Sequence, residues 1–447
     1  MHELLVKNEE FKDSPLGKIP KDWQVAKLSN FYAIPARNGL YKSATYYGRG
    51  VLMIHMPQMF RGLEIDTSDA ARVDVKTTEL ERFELKPGDL VFARRSLNLE
   101  GAGRCSLVPE LAEAVTFESS IIRVRLSTEQ LRPTFANYFL NSEIGIRLRL
   151  PLIRQVAVSG VSSEDIASIP IAVPPIPEQE HIIEIINTIE ETIARTSSLI
   201  TKLKQTKAGL MQDLLTRGLD EDGKLRDPQA HPEQFKDSPL GRIPKDWGIY
   251  QTGTIASIKY GINDAVDQSL ESGILTITLP CVTKTGELLL DKESLAFSAR
   301  HKVSRNDILQ PGDLLFNWRN GSQEHLGKTA YFDSQDEYTH VGFLLRIRTN
   351  PEICDSRFFW WRISYMKSQG FFLQAKSQVN NTFNSEELAN MFVVIPPLNE
   401  QKTIVNTIEP CEQRIRTEKA YINKLKLQKQ GLMQDLLTGK VRVKTIK

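Results

Sequence analysis

The chain has 447 residues, with 57 Lys and Arg against 55 Asp and Glu, so its formal net charge is only +2. This length allows two or three domains with full hydrophobic cores. A near-neutral total neither requires nor excludes a nucleic-acid partner, because the placement of the charges decides that. No run of eighteen apolar residues occurs, and "MHELLVKNEEFK" at the start has no apolar core, so we predict a cytosolic protein.

Residues 1–173 are predicted to form a first domain of mixed α+β structure. Short apolar runs such as "GVLMIHM", "DLVFARR" and "SIIRVRL" favour strands, and "TFANYFLNSEIG" favours a helix. The "PGD" before the second of these strands predicts a turn in which Gly88 adopts a positive φ. The chain has four cysteines, Cys105 in this domain and Cys281, Cys354 and Cys411 later in the sequence. None of them has a cysteine or histidine at the short spacing of a zinc site, so we expect reduced thiols and no zinc site.

A long helix is predicted over residues 174–216, because Pro174 and Pro175 suit a helix start and no Gly or Pro occurs between Gln179 and Gly209. Its apolar residues recur in steps of four and three once Thr196 and Lys207 fill two gaps. This heptad seam consists of Ile182, Ile186, Ile189, Ile193, Ile200, Leu203, Leu210 and Leu214.

A polar linker follows at residues 217–234, "RGLDEDGKLRDPQAHPEQ", and is expected to be exposed. Residues 235–395 then form a second mixed domain, with "GILTITL", "DLLFNW" and "FLLRIR" as strands and "RFFWWRISYMKSQG" as a helix. Residues 396–447 form a second long helix and a tail. Its seam consists of Ile404, Ile408, Cys411, Ile415, Ile422, Leu425, Leu432 and Leu436, with Glu418 and Lys429 in the gaps.

The second half of the chain is a copy of the first. "FKDSPLGKIPKDW" at 11–23 recurs as "FKDSPLGRIPKDW" 224 residues later, and "LKPGDLVFARRS" aligns with "LQPGDLLFNWRN" at the same shift. At a shift of 222, "VPPIPEQ" meets "IPPLNEQ" and "GLMQDLLT" recurs unchanged. The period is too long for a solenoid. We therefore predict an α+β protein with two globular mixed domains and two long helices that pair as an antiparallel coiled coil.

Polar and basic residues recur in two segments of each copy, and the sequences that flank these segments align between the copies. Arg pairs with guanine and Asn or Gln with adenine, and all of them can bind phosphates. Taken alone, an Arg after a strand is more often a solvated strand end. Because the contents of these segments differ between copies, we predict that they contact DNA. The candidates are Arg94, Arg95, Asn98, Arg104, Arg154 and Gln155 in the first copy, and Asn317, Arg319, Asn320, Gln323, Lys328, Lys376, Gln378, Asn380 and Asn381 in the second.

Catalytic motifs are missing from the sequence. We find no GxSxG, HExxH or GxGxxG pattern, and "GSQEHLGKT" has five residues between its glycines where a P-loop has four. The tetrapeptides of amino-methyltransferases are also missing. Two alternatives to DNA recognition stay open: a coiled-coil scaffold that binds proteins without DNA, and a stand-alone DNA enzyme with an unfamiliar site.

The order of variable domain, "PPIPEQ" or "PPLNEQ", long helix and "GLMQDLLT", present twice, resembles the specificity subunit (HsdS) of Type I restriction-modification systems. The repeated opening segments and the terminal "LLTGKVRV" are similar too. The resemblance implies two target recognition domains held apart by the helical pair, which together bind an asymmetric two-part site on double-stranded DNA.

The same resemblance implies partners and cofactors. Two modification (methyltransferase) subunits and the restriction (endonuclease and translocase) subunits are expected to assemble around the chain. Adenine methylation and ATP-driven cleavage then belong to those subunits, so S-adenosylmethionine, ATP and Mg are expected there and no cofactor in this chain.

Overall fold

The structure is a computed structural model, and it describes residues 5–7, 10–155, 159–263, 270–291, 294–319, 325–374 and 382–443. The chain forms two compact units, the first made of residues 1–197 with 420–447 and the second of residues 198–419.

The helices begin and end as follows: α1 Met56–Met59, α2 Thr77–Phe83, α3 Pro133–Asn141, α4 Glu143–Arg149, α5 Ser163–Ser168, α6 Ile176–Thr216, α7 Thr252–Ile255, α8 Ser356–Ser368, α9 Phe371–Gln374, α10 Ser385–Asn390 and α11 Leu398–Leu437.

The strands of the first copy are β1 Leu5–Lys7, β2 Phe11–Ser14, β3 Gly17–Pro20, β4 Gln24–Lys27, β5 Tyr32–Asn38, β6 Tyr47–Ile54, β7 Ala71–Val73, β8 Leu90–Ala93, β9 Arg95–Ser96, β10 Cys105–Leu107, β11 Val115–Phe117, β12 Ile121–Leu126, β13 Arg154–Gln155, β14 Ser159–Gly160 and β15 Pro170–Val173. Those of the second copy are β16 Phe235–Lys236, β17 Ile243–Pro244, β18 Gly248–Gln251, β19 Ala256–Tyr260, β20 Ile274–Ile277, β21 Ala296–Ser298, β22 Leu314–Asn317, β23 Thr329–Tyr331, β24 Tyr338–His340, β25 Leu344–Thr349, β26 Phe392–Ile395 and β27 Val441–Val443.

Each unit is built on a four-stranded antiparallel sheet and a three-stranded sheet. The four-stranded sheets have the orders β10-β8-β12-β5 and β23-β22-β25-β19, and the three-stranded sheets the orders β11-β6-β7 and β24-β20-β21. The two orders correspond strand by strand. This confirms both the mixed α+β class and the internal duplication predicted from the sequence.

The "PGD" turn positions the central strand of each four-stranded sheet. Gly88 and Gly312 have φ values of 86° and 96°, as predicted. The aspartate that follows is buried in both copies, where Asp89 accepts two hydrogen bonds from Arg125 over 2.6 and 2.7 Å. Because the hydrogen bonds to Asp89 favour the charged guanidinium, the pKa of Arg125 is raised. The turn is therefore fixed by a buried ion pair as well as by backbone conformation.

The long helices extend over 41 and 40 residues, and the predicted seam is their buried face. In the first unit, Ile182 and Ile186 of α6 share a core with Met433 and Leu436 of α11. The first half of α6 therefore packs against the second half of α11.

In the second unit the opposite halves pair. Lys207 Nζ of α6 lies 2.7 Å from the Glu412 carboxylate of α11. Together, the two pairings show that the helices run antiparallel, as predicted.

One predicted helix differs from the structure. The segment "TFANYFLNSEIG" lies in two helices, α3 and α4, because Ser142 is extended and caps the second helix by accepting a hydrogen bond from Gly145 N. A Cβ at Gly145 would lie 2.3 Å from the carbonyl oxygen of Phe139, so this close corner needs glycine.

Candidate nucleic-acid interface

Three loops of the first unit leave the same edge of its four-stranded sheet. Strand β12 is antiparallel to both β8 and β5, with Ile121 opposite Ala93 and Ile122 opposite Asn38. The carboxyl ends of β8 and β5 therefore meet the amino end of β12. Residues 39–46, 94–104 and 118–120 all start or end at this edge, which we call the loop edge.

A small sheet brings together the two candidate segments of the first copy. Strand β14 pairs with both β9 and β13, so that Gly160 lies opposite Arg95 on one side and Arg154 on the other. Residues directly opposite one another share a face of a sheet. Arg95 and Arg154 thus point to one face, separated by a residue that has no side chain, and both are exposed.

The other candidates near this small sheet differ in exposure. Asn98 and Gln155 are exposed, and Gln155 lies opposite Ser159 on the other face of the sheet. Arg94 is half-buried, and its guanidinium donates to the carbonyl of Ser119 over 3.4 Å. Arg154 donates to Asp165 over 3.4 Å from an exposed position, which is a weak contact.

The second unit repeats this pairing. The backbones of Arg319 and Thr382 form an isolated antiparallel β-bridge, which is the counterpart of the pairing between Arg95 and Gly160. Beside it Phe383 N donates to the carbonyl of Trp318 over 2.7 Å, as Val161 N does to Arg94 over 3.0 Å in the first unit. The candidates Asn320, Gln323, Lys376, Gln378, Asn380 and Asn381 lie outside the described residues.

The surface placement predicted for Asn317 and Lys328 is wrong. Asn317 is the last residue of β22 and is fully buried, and its side-chain amide has no hydrogen-bond partner among the described residues. Lys328 is buried as well, and its Nζ donates to the carbonyl of Val282 over 3.0 Å. Asn317 is the last paired residue of β22, and its backbone N donates to the carbonyl of Lys328, the residue before β23, so both positions lie against the sheet. Neither presents its polar group at the surface.

The side chain of Arg104 is held in place by contacts within the first unit. Its guanidinium lies 5.3 Å from the centre of the Phe60 ring and donates to the carbonyl of Gly62 over 3.1 Å. The side chain is half-buried and lines a cleft behind the loop of residues 94–104.

Sequence reasoning missed exposed apolar and aromatic side chains around the loop edge. Leu97 is 90% exposed between the candidates Arg95 and Asn98, and Tyr41 is 81% exposed in the loop after β5. In the second unit, Phe343, the residue before β25, is half exposed. Aromatic faces stack on bases and apolar side chains can enter a base step. The sequence feature that could have indicated them is an aromatic residue or a leucine within a polar, turn-rich segment.

The first residue of the loop 39–46 has to be glycine, because the backbone of the neighbouring chain segment lies too close for a side chain. A Cβ at Gly39 would lie 2.3 Å from the carbonyl oxygens of Phe117 and Glu118, and a Cβ at Gly261 would lie 2.2 Å from that of His340. The two units therefore keep the same close approach while the residues beyond it differ.

The described residues offer no metal site and no reactive thiol in the buried positions. Within the described residues, no three His, Cys, Asp or Glu side chains are grouped so that they could hold a metal ion. The four cysteines are free thiols, and burial raises the pKa of Cys105 and of Cys354, which makes both unreactive. Among the helices described, none is long and apolar enough to cross a membrane.

Comparisons with known proteins identify the family of the duplicated chain. The family model described as "Type I restriction modification DNA specificity domain" matches twice, at residues 20–205 and 249–427. The putative type I restriction enzyme MjaX specificity subunit of Methanocaldococcus jannaschii is 23% identical over 98% of both chains. The EcoKI specificity subunit of Escherichia coli is 26% identical over 45% of both chains.

Solved structures share the fold. The S subunit of a Type I restriction-modification system from M. genitalium superposes with a TM-score of 0.57 at 14% identity, covering 97% of this chain and 100% of that one. Since the family model covers both halves of the sequence, the chain belongs to the DNA specificity subunits of Type I restriction-modification systems, which are non-catalytic recognition subunits.

Proposed function

We propose that this chain recognises an asymmetric, two-part site on double-stranded DNA. One half-site is bound by the loop edge of the first unit, and the other by the equivalent edge of the second unit, where β22 ends and β25 begins. The observation that carries the proposal is the pair of equivalent arginines, Arg95 and Arg319, at the same register position of two copies whose neighbouring loop residues differ. The two copies have the same strand order but different loop residues, as expected for one scaffold that binds two different DNA sequences.

The chemistry of the loop edge suits DNA. Arg95 is exposed with no hydrogen bond or ion pair to a described residue, so its five donors are available for a guanine edge or a phosphate. Asn98 and Gln155 add amide groups of the kind that pair with adenine. Leu97 and Tyr41 add apolar surface.

The duplication also supports two identical partners. Each unit has a cleft beside the paired helices, of about 480 Å³ in the first and about 520 Å³ in the second. Lys429 pairs with Glu190 at the first cleft, and Lys207 with Glu412 at the second, at positions 222 residues apart. We infer that two modification subunits bind these equivalent surfaces and that restriction subunits join the complex for cleavage.

Adenine methylation and DNA cleavage are then functions of the partners. S-adenosylmethionine, ATP and Mg bind to those subunits in this proposal, and this chain directs where they act. The finding that supports this division is membership of the specificity-subunit family.

Methylation-resolved sequencing of DNA from a host that carries the chain with its modification subunits tests the proposal. We expect adenine methylation at one two-part motif, lost when this chain is deleted. The purified chain alone should methylate and cut no DNA. Methylation by the chain alone would establish a stand-alone enzyme, and methylation whose sequence does not depend on the chain would leave it a protein scaffold.

A further inference from the structure

The first unit has a cleft of about 650 Å³ behind the loop of residues 94–104. It lies between that loop and helix α4, and its polar lining comes from both. The lining includes Phe60, Asn98, Glu100, Arg104 and Arg149.

Arg149 is buried in the wall of this cleft. The residue is 4% exposed, and among the described residues its guanidinium donates to two carbonyls, of Gly103 over 3.4 Å and of Glu100 over 3.2 Å. Within the same part of the chain, its Nε has no hydrogen-bond partner and no carboxylate forms an ion pair with it. Burial lowers the pKa of Arg149, and the nearby charge of Arg104 lowers it further.

A buried, unpaired cation is strongly unfavourable for folding. The second unit shows that folding does not need one at this place. A Cβ at Gly103 would lie 2.7 Å from the Arg149 side chain, and a Cβ at the equivalent Gly327 would lie 2.5 Å from Phe372. Phe372 therefore takes the place of Arg149 and packs in an aromatic cluster with Phe316. An apolar side chain fills the position well.

A second arginine faces the same cleft. Arg104 is held over the Phe60 ring and has no carboxylate partner among the described residues. The acidic group at the cleft, Glu100, is exposed, and its backbone carbonyl rather than its carboxylate contacts Arg149. Two guanidinium groups thus face a space that an anion with several oxygens would fill.

We propose that this cleft binds a backbone phosphate of DNA through Arg104 and Arg149. The inference rests on the proposed function and deepens it. The arginine pair distinguishes the first unit, since the described residues at the equivalent positions of the second unit are Lys328 and Phe372. A phosphate contact carries no sequence information but fixes the register of the nearby loop. Held in this way, the loop of residues 94–104 presents Arg95 and Asn98 to base edges at the first half-site.

The test compares variants of the full complex with modification subunits. Arg149→Phe places the second unit's own residue at this position, and Arg104→Gln removes the second charge. Arg72→Gln is the matched control, since Arg72 is an exposed arginine of the same unit that pairs with Glu113 away from the cleft. Melting temperatures check that each variant folds.

We expect Arg149→Phe and Arg104→Gln each to lower the affinity for DNA roughly tenfold. The loss should be similar for cognate and altered half-sites, and the slope of log affinity against log salt should fall by about one. Arg72→Gln should change neither quantity. Folded Arg149→Phe and Arg104→Gln variants with unchanged affinity and slope would overturn the inference. A wild-type complex that binds no DNA would instead refute the proposed function.

Inorganic phosphate separates the two sources of the anion. At equal ionic strength, replacing chloride by phosphate should weaken DNA binding by the wild type more than by Arg149→Phe, because the ion and the DNA compete for one site. Phosphate binding that leaves DNA affinity unaffected in both proteins would show that the cleft takes a free anion and would overturn the assignment to the DNA backbone.

Discussion

Replacing Arg442 by methionine should destabilise the first unit. The Arg442 guanidinium donates to both carboxylate oxygens of Glu178 over 2.5 and 2.7 Å and to Asp22 over 3.0 and 2.8 Å. Trp23 Nε1 donates to the same Glu178 carboxylate over 3.0 Å. The Glu178 side chain is 4% exposed, so the substitution leaves a buried carboxylate with the indole as its remaining donor among the described residues.

The size of the effect follows from burial. Removing one partner of a fully buried ion pair costs about 3–5 kcal/mol. The Arg442 side chain is 24% exposed, so water can replace part of what it donates. We therefore expect Arg442→Met to lower the free energy of unfolding of the first unit by about 2–3 kcal/mol. Hydrogen exchange under urea titration measures this locally, at β4 and at the start of α6.

The second unit supplies the control. Arg226 donates to Glu400 over 2.6 Å beside Trp247, so Arg226→Met should produce a similar loss confined to the second unit. Adding Glu178→Gln to Arg442→Met should recover part of the stability, because a buried amide is less costly than a buried charge. A change below about 0.5 kcal/mol, or faster exchange throughout both units, would refute the reasoning.

Further predictions concern recognition, spacing and pH. Arg95→Ala and Arg319→Ala should each weaken recognition of a different half-site by about 1–3 kcal/mol, measured by binding to DNA altered in one half at a time. Seven residues inserted after both Leu203 and Leu425 keep the heptad phase and add about 10 Å of helix, so methylation sequencing should find a gap about three base pairs longer, or no activity from a folded protein. Burial lowers the pKa of His340 from 6.5 to about 4. Between these two pH values the imidazole is therefore protonated in the unfolded chain and neutral in the folded second unit. Stability should fall by on the order of 1 kcal/mol per pH unit from about pH 6.5 down to about pH 4, and urea titrations of His340→Phe should lack this dependence.

Periodic features of the sequence were predictable because each follows from local geometry. The heptad seam predicted the buried face of both long helices, where Ile404, Ile408 and Ile415 are all at most 2% exposed. The positive φ of Gly88 followed from turn chemistry in the same way. Both signals depend on residues close together in the sequence, and the tertiary packing agrees with them in both copies.

Features that depend on long-range pairing were not predictable. Nothing in the sequence showed that Gly160 pairs with both Arg95 and Arg154, although both segments were correctly placed in phase with the second copy. The burial of Asn317 was missed because a polar residue at the end of an apolar run is normally exposed, whereas Asn317 still pairs with Leu344 inside the sheet. Whether Arg95 contacts a base stays a prediction, since loop position alone does not determine it.

The repeated opening segment acquires a physical reason from its contacts. In each unit, a Trp of that segment donates to a glutamate at the start of a long helix, and an arginine from a "GK-x-R" segment binds the same glutamate. In the second unit this arginine is Arg226 of the linker, and in the first it is Arg442 near the end of the chain. The same anchor thus serves both domains without using the loop edge. Under the proposed function, loop residues can therefore change, and with them the DNA sequence that is recognised, while the anchor stays the same.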